Sequence, residues 1–127
     1  MLGDQKIVAF APTTDFERAR AFYEGILGLR FKREDGFALV LDANGTMLRI
    51  AKIPGFEPAR FTILGWEVQG IHELVATLSS KGIGFEQFGL PNQDESGVWI
   101  APSGDKVAWF KDPDGNILSL SEHMKPV

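Results

Sequence analysis

The chain has 127 residues and a formal net charge of −4, with no cysteine and two histidines, His72 and His123. This length is typical of one domain, or of one domain built from two small halves. The lack of cysteine excludes a disulfide framework, a zinc–thiolate site and a catalytic cysteine, and two histidines cannot supply three imidazoles from one chain. The acidic, unclustered charge argues against nucleic acid and against a membrane as partners. We expect a cytoplasmic protein, because no stretch reaches the ~20 apolar residues of a membrane span and the first residues lack a signal-peptide core.

The first half of the chain predicts the order β-α-β-β-β. Apolar residues recur at helical spacing between Asp15 and Gly28, with Thr14 and Glu17 as a capping box or Asp15 as the alternative N-cap. Asp35-Gly36 and Asn44-Gly45 fit hairpin turns. The predicted strands cover residues 6–11, 31–34, 37–41 and 47–52.

The second half repeats this order. A helix is predicted over 71–81, and strands are predicted over 62–68, 83–88, 98–101, 106–111 and 117–121. The run 98–101 has no counterpart in the first half, and the polar loop 89–97 is expected to be mobile. The expected domain organisation is one module over 5–53, a Pro- and Gly-rich linker over 54–61, and a second module over 62–122. Glu122 is expected at the surface and His123 in the C-terminal tail.

Two motifs resemble a known family. The run Phe22-Tyr23-x-x-x-Leu27-Gly28-Leu29 is similar to an F-Y-x-x-x-L-G-[LF] signature, and the run from Phe110 to Asn116 is similar to an F-x-D-P-D-G-N turn. Both resemble the glyoxalase I, bleomycin-resistance and extradiol dioxygenase superfamily. The resemblance implies an α+β fold of two tandem βαβββ modules that form a curled, U-shaped open β-barrel with helices outside. It also implies a homodimer, in which the partner chain often completes the cavity.

The resemblance further implies four positions that hold a divalent metal in catalytic members. In this sequence those positions are Val8, Arg49, Ile63 and Ser119. Two of them are aliphatic, one is a permanent cation, and serine alone is a poor ligand. We therefore expect no metal site and no other cofactor.

Strand alternation and pairing about the two D-x-[ND]-G turns predict which side chains line a cavity. Leu39, Leu41, Leu48, Ile50, Val107, Trp109, Leu118 and Leu120 are assigned to the core. The candidate ligand-binding residues are Phe10, Val40, Met47, Arg49, Ile63, Glu67, Trp99, Phe110, Ser119 and Ser121. For Arg49 two interpretations stay open: it binds an anionic group of a ligand, or it forms an internal ion pair with Glu67 or another carboxylate.

Apolar walls with a few polar anchors favour a metal-free small-molecule binding protein that sequesters or senses an aromatic or amphipathic ligand. One alternative is an enzyme, either a glyoxalase-like lyase, isomerase or dioxygenase, or a metal-free catalyst in which Glu67 and Arg49 are candidate catalytic residues. Another alternative is a dimeric interaction domain with a vestigial groove.

Overall fold

Two four-stranded mixed sheets organise the protein, in a computed structural model that describes residues 1–124. The chain divides into unit 1, Met1–Pro58, and unit 2, Ala59–Val127. The division lies within the stretch 54–61 that was expected to be a linker. The fold is the predicted α+β class, with a βαβββ-like arrangement in each unit.

Unit 1 follows the predicted order of elements. After a short 3-10 turn over Leu2–Asp4 come β1 (Val8–Thr13), α1 (Phe16–Arg20), β2 (Arg30–Glu34), β3 (Ala38–Ala43) and β4 (Thr46–Lys52). The strand order is β1-β4-β3-β2, in which β1 runs parallel to β4 and the other neighbours are antiparallel. The parallel pair brings the first and last strands of the unit together at one side of the sheet.

Helix α1 begins at the alternative N-cap, because the Asp15 carboxylate accepts a hydrogen bond from the Arg18 N–H at 3.1 Å. From Ala21 to Ile26 the chain continues as a π-helix. The wider π turn accompanies the burial of two adjacent aromatic residues, Phe22 and Tyr23, whose rings meet edge to face at 5.1 Å.

The core of unit 1 is the predicted one. Leu39, Leu41, Leu48 and Ile50 are at most 2% exposed, and each such side chain contributes roughly 1.5–3 kcal/mol by burial. The guanidinium of Arg20 on α1 lies 3.5 Å from the ring centre of Phe31. Since Phe31 pairs with Leu41, the helix covers the face of the sheet that carries these leucines.

Unit 2 contains β5 (Thr62–Glu67), α2 (Ile71–Ser80), β6 (Trp99–Ile100), β7 (Lys106–Lys111) and β8 (Ile117–Glu122). The strand order is β5-β8-β7-β6, and β5 is parallel to β8. The N-cap residue of helix α2 is Gly70, which has no side chain to cap the helix. The Glu122 carboxylate instead accepts a hydrogen bond from the Ile71 N–H at 2.8 Å. Glu122 is therefore not a plain surface residue, and its contact places α2 on the face of the sheet to which Glu122 points.

The strand predicted over 83–88 is wrong. This segment makes one bridge, from Phe85 to Phe110, and the Glu86 N–H donates to the Trp109 carbonyl at 2.8 Å. Strand β6 pairs with the other end of β7 and takes the edge position that β2 has in unit 1. The run 98–101 therefore does have a counterpart, and the edge of this sheet is shared by two fragments with the loop 89–97 between them.

The predicted register of β7 on β8 is also wrong by one residue. Lys111 pairs with Ile117, which leaves a five-residue loop over 112–116. In this loop the buried Asp112 carboxylate accepts hydrogen bonds from the backbone N–H groups of Asp114 and Asn116 and from the Asn116 side-chain amide. Because side chains alternate along a strand, a shift of one residue exchanges the two faces of β7.

The core of unit 2 differs from the prediction accordingly. Ala108 and Phe110 pair with Leu120 and Leu118, and all four are at most 3% exposed. Trp109, which was assigned to the core, lies on the opposite face. This exchange changes which aromatic side chains are available to a ligand.

Candidate functional site on the open sheet faces

The face of the first sheet turned away from α1 is called here the open face of unit 1. Val8 pairs with Met47 and Phe10 pairs with Arg49, so these four side chains share it with Val40. Phe10 is 61% exposed and Met47 is 37% exposed, whereas Val40 is buried. The structure thus brings together the four candidate residues that the sequence placed in unit 1, namely Phe10, Val40, Met47 and Arg49.

Arg49 forms the internal ion pair that was one of its two interpretations. Its Nη2 donates to Asp35 Oδ2 at 2.7 Å. The other Asp35 oxygen accepts hydrogen bonds from the N–H groups of Phe37 and Ala38 in the β2–β3 turn. The hydrogen bond from Arg49, followed by the one from Phe37, lowers the pKa of Asp35 below its ordinary value. The charge of Arg49 is therefore compensated within its own unit.

A pocket of about 450 Å³ opens next to these residues, within unit 1. Its aliphatic lining consists of Ile7, Val8, Val40, Leu41 and Met47, and its basic lining consists of Lys6, Lys32 and Arg33. Its volume lies in the range of pockets that hold small organic molecules. No feature of the sequence pointed to the two lysines or to Arg33.

The open face of unit 2 is the side of its sheet turned away from α2. Glu67 pairs with Ser121 on it, and Gly65 pairs with Ser119. A Cβ at residue 65 would lie 2.5 Å from Ser119 Oγ, so glycine makes room for the serine hydroxyl. Glu67 is exposed, so it lacks the apolar surroundings that were expected to make it a general base.

Three aromatic rings, Phe88, Trp99 and Trp109, make a continuous surface on this open face and are called here the aromatic cluster. Trp99 and Trp109 have ring centres 6.0 Å apart, and Phe88 meets Trp109 edge to face at 5.2 Å. The Trp99 indole N–H donates to the Pro91 carbonyl at 2.9 Å, which fixes that ring. Trp109 is half-buried and Phe88 is 46% exposed, so a further ring can stack on the cluster.

The loop 89–97 is ordered by side-chain hydrogen bonds and holds the cluster in place. Gln93 accepts from the Phe88 N–H and donates to the carbonyls of Glu86 and Gly97. Asp94 accepts from the N–H of Val98 at 3.0 Å. The loop therefore carries its own framework, which its polar composition alone did not reveal.

Two of the predicted cavity residues lie elsewhere. Phe110 is fully buried on the helix side of unit 2, where it contacts Phe85 and stacks on Trp66 at 6.5 Å. Its assignment to the cavity was wrong because the register of β7 was wrong. Ile63 is the extra residue of a β-bulge, since Thr62 pairs with Ile117 and Leu64 already pairs with Leu118.

Sequence reasoning missed Trp109 and Phe88. The alternation of side chains along β7 would have identified Trp109, given the correct register. Phe88 lies in an irregular segment, where no periodicity assigns a face.

Ser121 takes part in a hydrogen-bonded chain at the end of β8. His123 Nε2 lies 3.0 Å from Ser121 Oγ, and His123 Nδ1 lies 3.3 Å from Asp105 Oδ2. The Met124 N–H donates to the other Asp105 oxygen at 2.9 Å. This hydrogen bond, followed by the contact with His123, lowers the pKa of Asp105, so its carboxylate is ionised at neutral pH. His123 is thus held in place rather than lying in a free tail.

The residues at the four expected metal-ligand positions do not fit a metal. Val8 is on the open face of unit 1 without a donor atom, and Arg49 at that face is a cation held by Asp35. Ser119 offers one neutral hydroxyl, and Ile63 offers none. Within residues 1–124 no group of three or more His, Cys, Asp or Glu side chains could hold a metal ion.

The chain belongs to the Glyoxalase/Bleomycin resistance protein/Dioxygenase superfamily, whose sequence pattern matches residues 6–120. This confirms the resemblance found in the two motifs. No curated protein matches the chain.

Solved structures share the fold. A glyoxalase family protein from Enterococcus faecalis superposes with a TM-score of 0.72 at 23% identity, over 96% of this chain and 100% of that one. A lactoylglutathione lyase from Agrobacterium tumefaciens gives 0.71 at 17% identity over 93% of each chain. A fosfomycin resistance protein from Listeria monocytogenes gives 0.72 at 12% identity, over 93% of this chain and 92% of that one. At these identities the likeness shows the fold alone.

None of the helices within residues 1–124 is long and apolar enough to cross a bilayer.

Proposed function

We propose that this protein is a metal-free small-molecule binding protein, which holds an aromatic ligand on the aromatic cluster of unit 2. The observation that carries the proposal is the pair of half-buried tryptophan rings, Trp99 and Trp109, on the open face. Ser119 and Ser121 lie on the same face, so their hydroxyls can orient a ligand ring that stacks on the two tryptophans. Aromatic walls with a few polar groups are typical of small-molecule sites.

The charge of unit 2 supports a cationic or neutral ligand. Unit 1 carries as many acidic as basic residues, so the net charge of −4 falls on unit 2. Glu67 lies on the open face itself, next to Ser121 in the sheet. Glu67 is two strands away from Trp109, and a carboxylate on the same face favours a cationic ligand over an anionic one through the field at that face.

Tryptophan fluorescence tests this proposal, because two of the three tryptophans belong to the cluster. We expect a planar aromatic cation such as proflavine to quench the emission saturably. Trp99→Ala and Trp109→Ala should each weaken binding roughly two- to tenfold, the value of one aromatic stacking contact. Trp66→Phe, on the helix side of the same sheet, is the matched control and should leave the affinity unchanged.

Two results would contradict the proposal. One is binding of aromatic probes that is indifferent to both cluster substitutions. The other is a stoichiometric divalent metal in protein purified without chelators, since the donor set described above cannot hold one.

One observation favours a second candidate function, the hydrolysis of activated esters. The side chains of Ser121, His123 and Asp105 are joined by hydrogen bonds in that order. A serine hydroxyl, an imidazole in contact with it and a carboxylate that orients the imidazole are the parts of a nucleophilic triad. Ser121 Oγ would attack the acyl carbon while its proton passes to His123 Nε2. The leaving alcohol would take that proton with the C–O electron pair, and water would then release the acyl group from Ser121 as a carboxylic acid.

A pre-steady-state burst with p-nitrophenyl acetate tests this candidate. The burst should vanish in Ser121→Ala and in His123→Ala. His72 makes a similar contact with Asp94, at 3.1 Å, and no serine among residues 1–124 bonds to its other nitrogen, so His72→Ala is the matched control that should keep the burst. A burst of equal size in Ser121→Ala would eliminate the triad.

A further inference from the structure

The pocket of unit 1 has a composition unlike that of the aromatic cluster. Three exposed aliphatic side chains line it, Ile7, Val8 and Met47, which are 76%, 42% and 37% exposed, and the buried Val40 and Leu41 lie behind them. Its rim carries Lys6, Lys32 and other cationic groups, although the chain as a whole is acidic. An apolar floor with a cationic rim suits a ligand that has an apolar part and an anionic end.

A β-bulge explains how two consecutive basic residues reach the same pocket. In a regular strand, neighbours point to opposite faces. Phe31 pairs with Leu41 and Arg33 pairs with Val40, so Lys32 is an extra residue in β2. A bulge of this kind re-aims side chains, and here both Lys32 and Arg33 line the pocket.

The charges at the rim are not compensated by the protein. Within the described part of the chain, Lys6, Lys32 and Arg33 form no ion pair with an acidic side chain. Asp42 is the one acidic residue of the lining, and its carboxylate accepts a hydrogen bond from the Gly45 N–H at 3.2 Å. Three cations against one anion leave an excess of positive charge facing the pocket.

We propose that this pocket binds an amphipathic anion, a short aliphatic chain that ends in a carboxylate or a phosphate. The aliphatic chain packs on the exposed side chains of Ile7, Val8 and Met47, and the anionic head group lies among the three cations. Arginine and lysine both bind carboxylates and phosphates by charge-assisted hydrogen bonds. This proposal extends small-molecule binding to unit 1 and shares no residue with the aromatic cluster, so either proposal can fail alone.

Calorimetric titration with four ligands of one chain length tests the proposal: octanoate, octyl phosphate, octanol and octylammonium, each below its aggregation concentration. We expect octanoate or octyl phosphate to bind with a dissociation constant of about 1 mM or tighter, the range of such small ligands. Octanol should bind at least about tenfold more weakly, which is the value of one charge-assisted hydrogen bond. Octylammonium should not bind. Whichever of octanoate and octyl phosphate binds more tightly identifies the head group as a carboxylate or a phosphate.

Substitutions of exposed residues connect the binding to this pocket. The double variant Lys32→Ala/Arg33→Ala should lose at least about tenfold in affinity for the anion, and raising the salt concentration should weaken binding to the native protein. The control Arg60→Ala/Lys81→Ala removes the same charge from exposed positions of unit 2 and should bind like the native protein. All four positions are exposed, so the variants should fold.

A methyl resonance locates the ligand. The chain has three methionines, and the signal of a labelled Met47 methyl group, assigned through Met47→Leu, should shift during titration with octanoate. Equal affinity for octanol and octanoate, unchanged affinity in Lys32→Ala/Arg33→Ala, or an unmoved Met47 signal would each overturn the proposal. Loss of octanoate binding in Trp109→Ala would overturn the claim that the pocket is separate from the aromatic cluster.

Discussion

The placement of Phe110 in the core and of Trp109 on the open face is the structural point on which the ligand-binding proposal depends. Phe110 is 0% exposed and contacts Trp66 and Phe85. Truncation of a buried phenylalanine to alanine costs about 3–5 kcal/mol, since it removes apolar contacts and leaves a cavity. Trp109 is partly exposed, and its ring contacts lie in the aromatic cluster, so Trp109→Ala should cost less than Phe110→Ala.

Urea unfolding followed by far-UV circular dichroism measures the free energy of unfolding of both variants, and thermal unfolding measures their melting temperatures. For a chain of this size each kcal/mol shifts the melting temperature by about 3–5 °C. We therefore expect the melting temperature to fall by about 10–25 °C for Phe110→Ala and by less for Trp109→Ala. If Phe110→Ala does not fold, Phe110→Leu keeps most of the volume and should cost about 1.5 kcal/mol.

The ligand-binding assay gives the opposite ranking, which makes the test specific. Phe110→Leu should leave the affinity for an aromatic probe unchanged, whereas Trp109→Ala should lower it. If Trp109→Ala proves the more destabilising substitution and Phe110→Leu the one that weakens binding, the register of β7 on β8 described here is incorrect. In that case Ser119 and Ser121 would no longer share a face with Trp109.

Three further predictions concern the contacts that support the two open faces. Glu122→Gln should destabilise unit 2 by about 1 kcal/mol in urea unfolding, because it weakens the N-terminal cap of α2, while Glu73→Gln in the first turn of α2 should cost less. Gly65→Ala should be destabilising, and Ser119→Ala should relieve part of that loss in a double-mutant cycle, since the clash involves the serine hydroxyl. The pKa of Asp35 lies below its ordinary value of 3.8, so its contribution to stability is present above that pH and is lost as the pH falls through the lowered value. Acid unfolding of the Asp35→Asn variant should lack this component, and a native-like acid profile in that variant would contradict the ion pair with Arg49.

Much of unit 1 could be predicted from its sequence, because local chemistry decides its register. Asn44 and Gly45 both have positive φ, 51° and 92°, as a two-residue hairpin turn requires. This turn pairs Ala43 with Thr46 and fixes every later partner of β3 and β4. The faces assigned from alternation, including those of Met47 and Arg49, followed correctly.

Unit 2 contains almost the same turn sequence but a different loop, and only the tertiary structure decided this. Asp42 is half-exposed and accepts one hydrogen bond, from Gly45, whereas its counterpart Asp112 is buried and binds the backbone and side chain of Asn116. That network draws one more residue into the loop and reverses the faces of β7. Residues distant in sequence decided two other features in the same way: the cap that Glu122 gives to α2, and the loop framework that holds Trp99 beside Trp109.

The sequence by itself determined the family, the order of elements in unit 1 and the absence of donor atoms at Val8 and Ile63. These follow from residue identity and spacing, which are local properties of the chain. Which side chains stand together on an open face depends on strand register and on buried hydrogen bonds between distant residues, and those are set only when the sheets form.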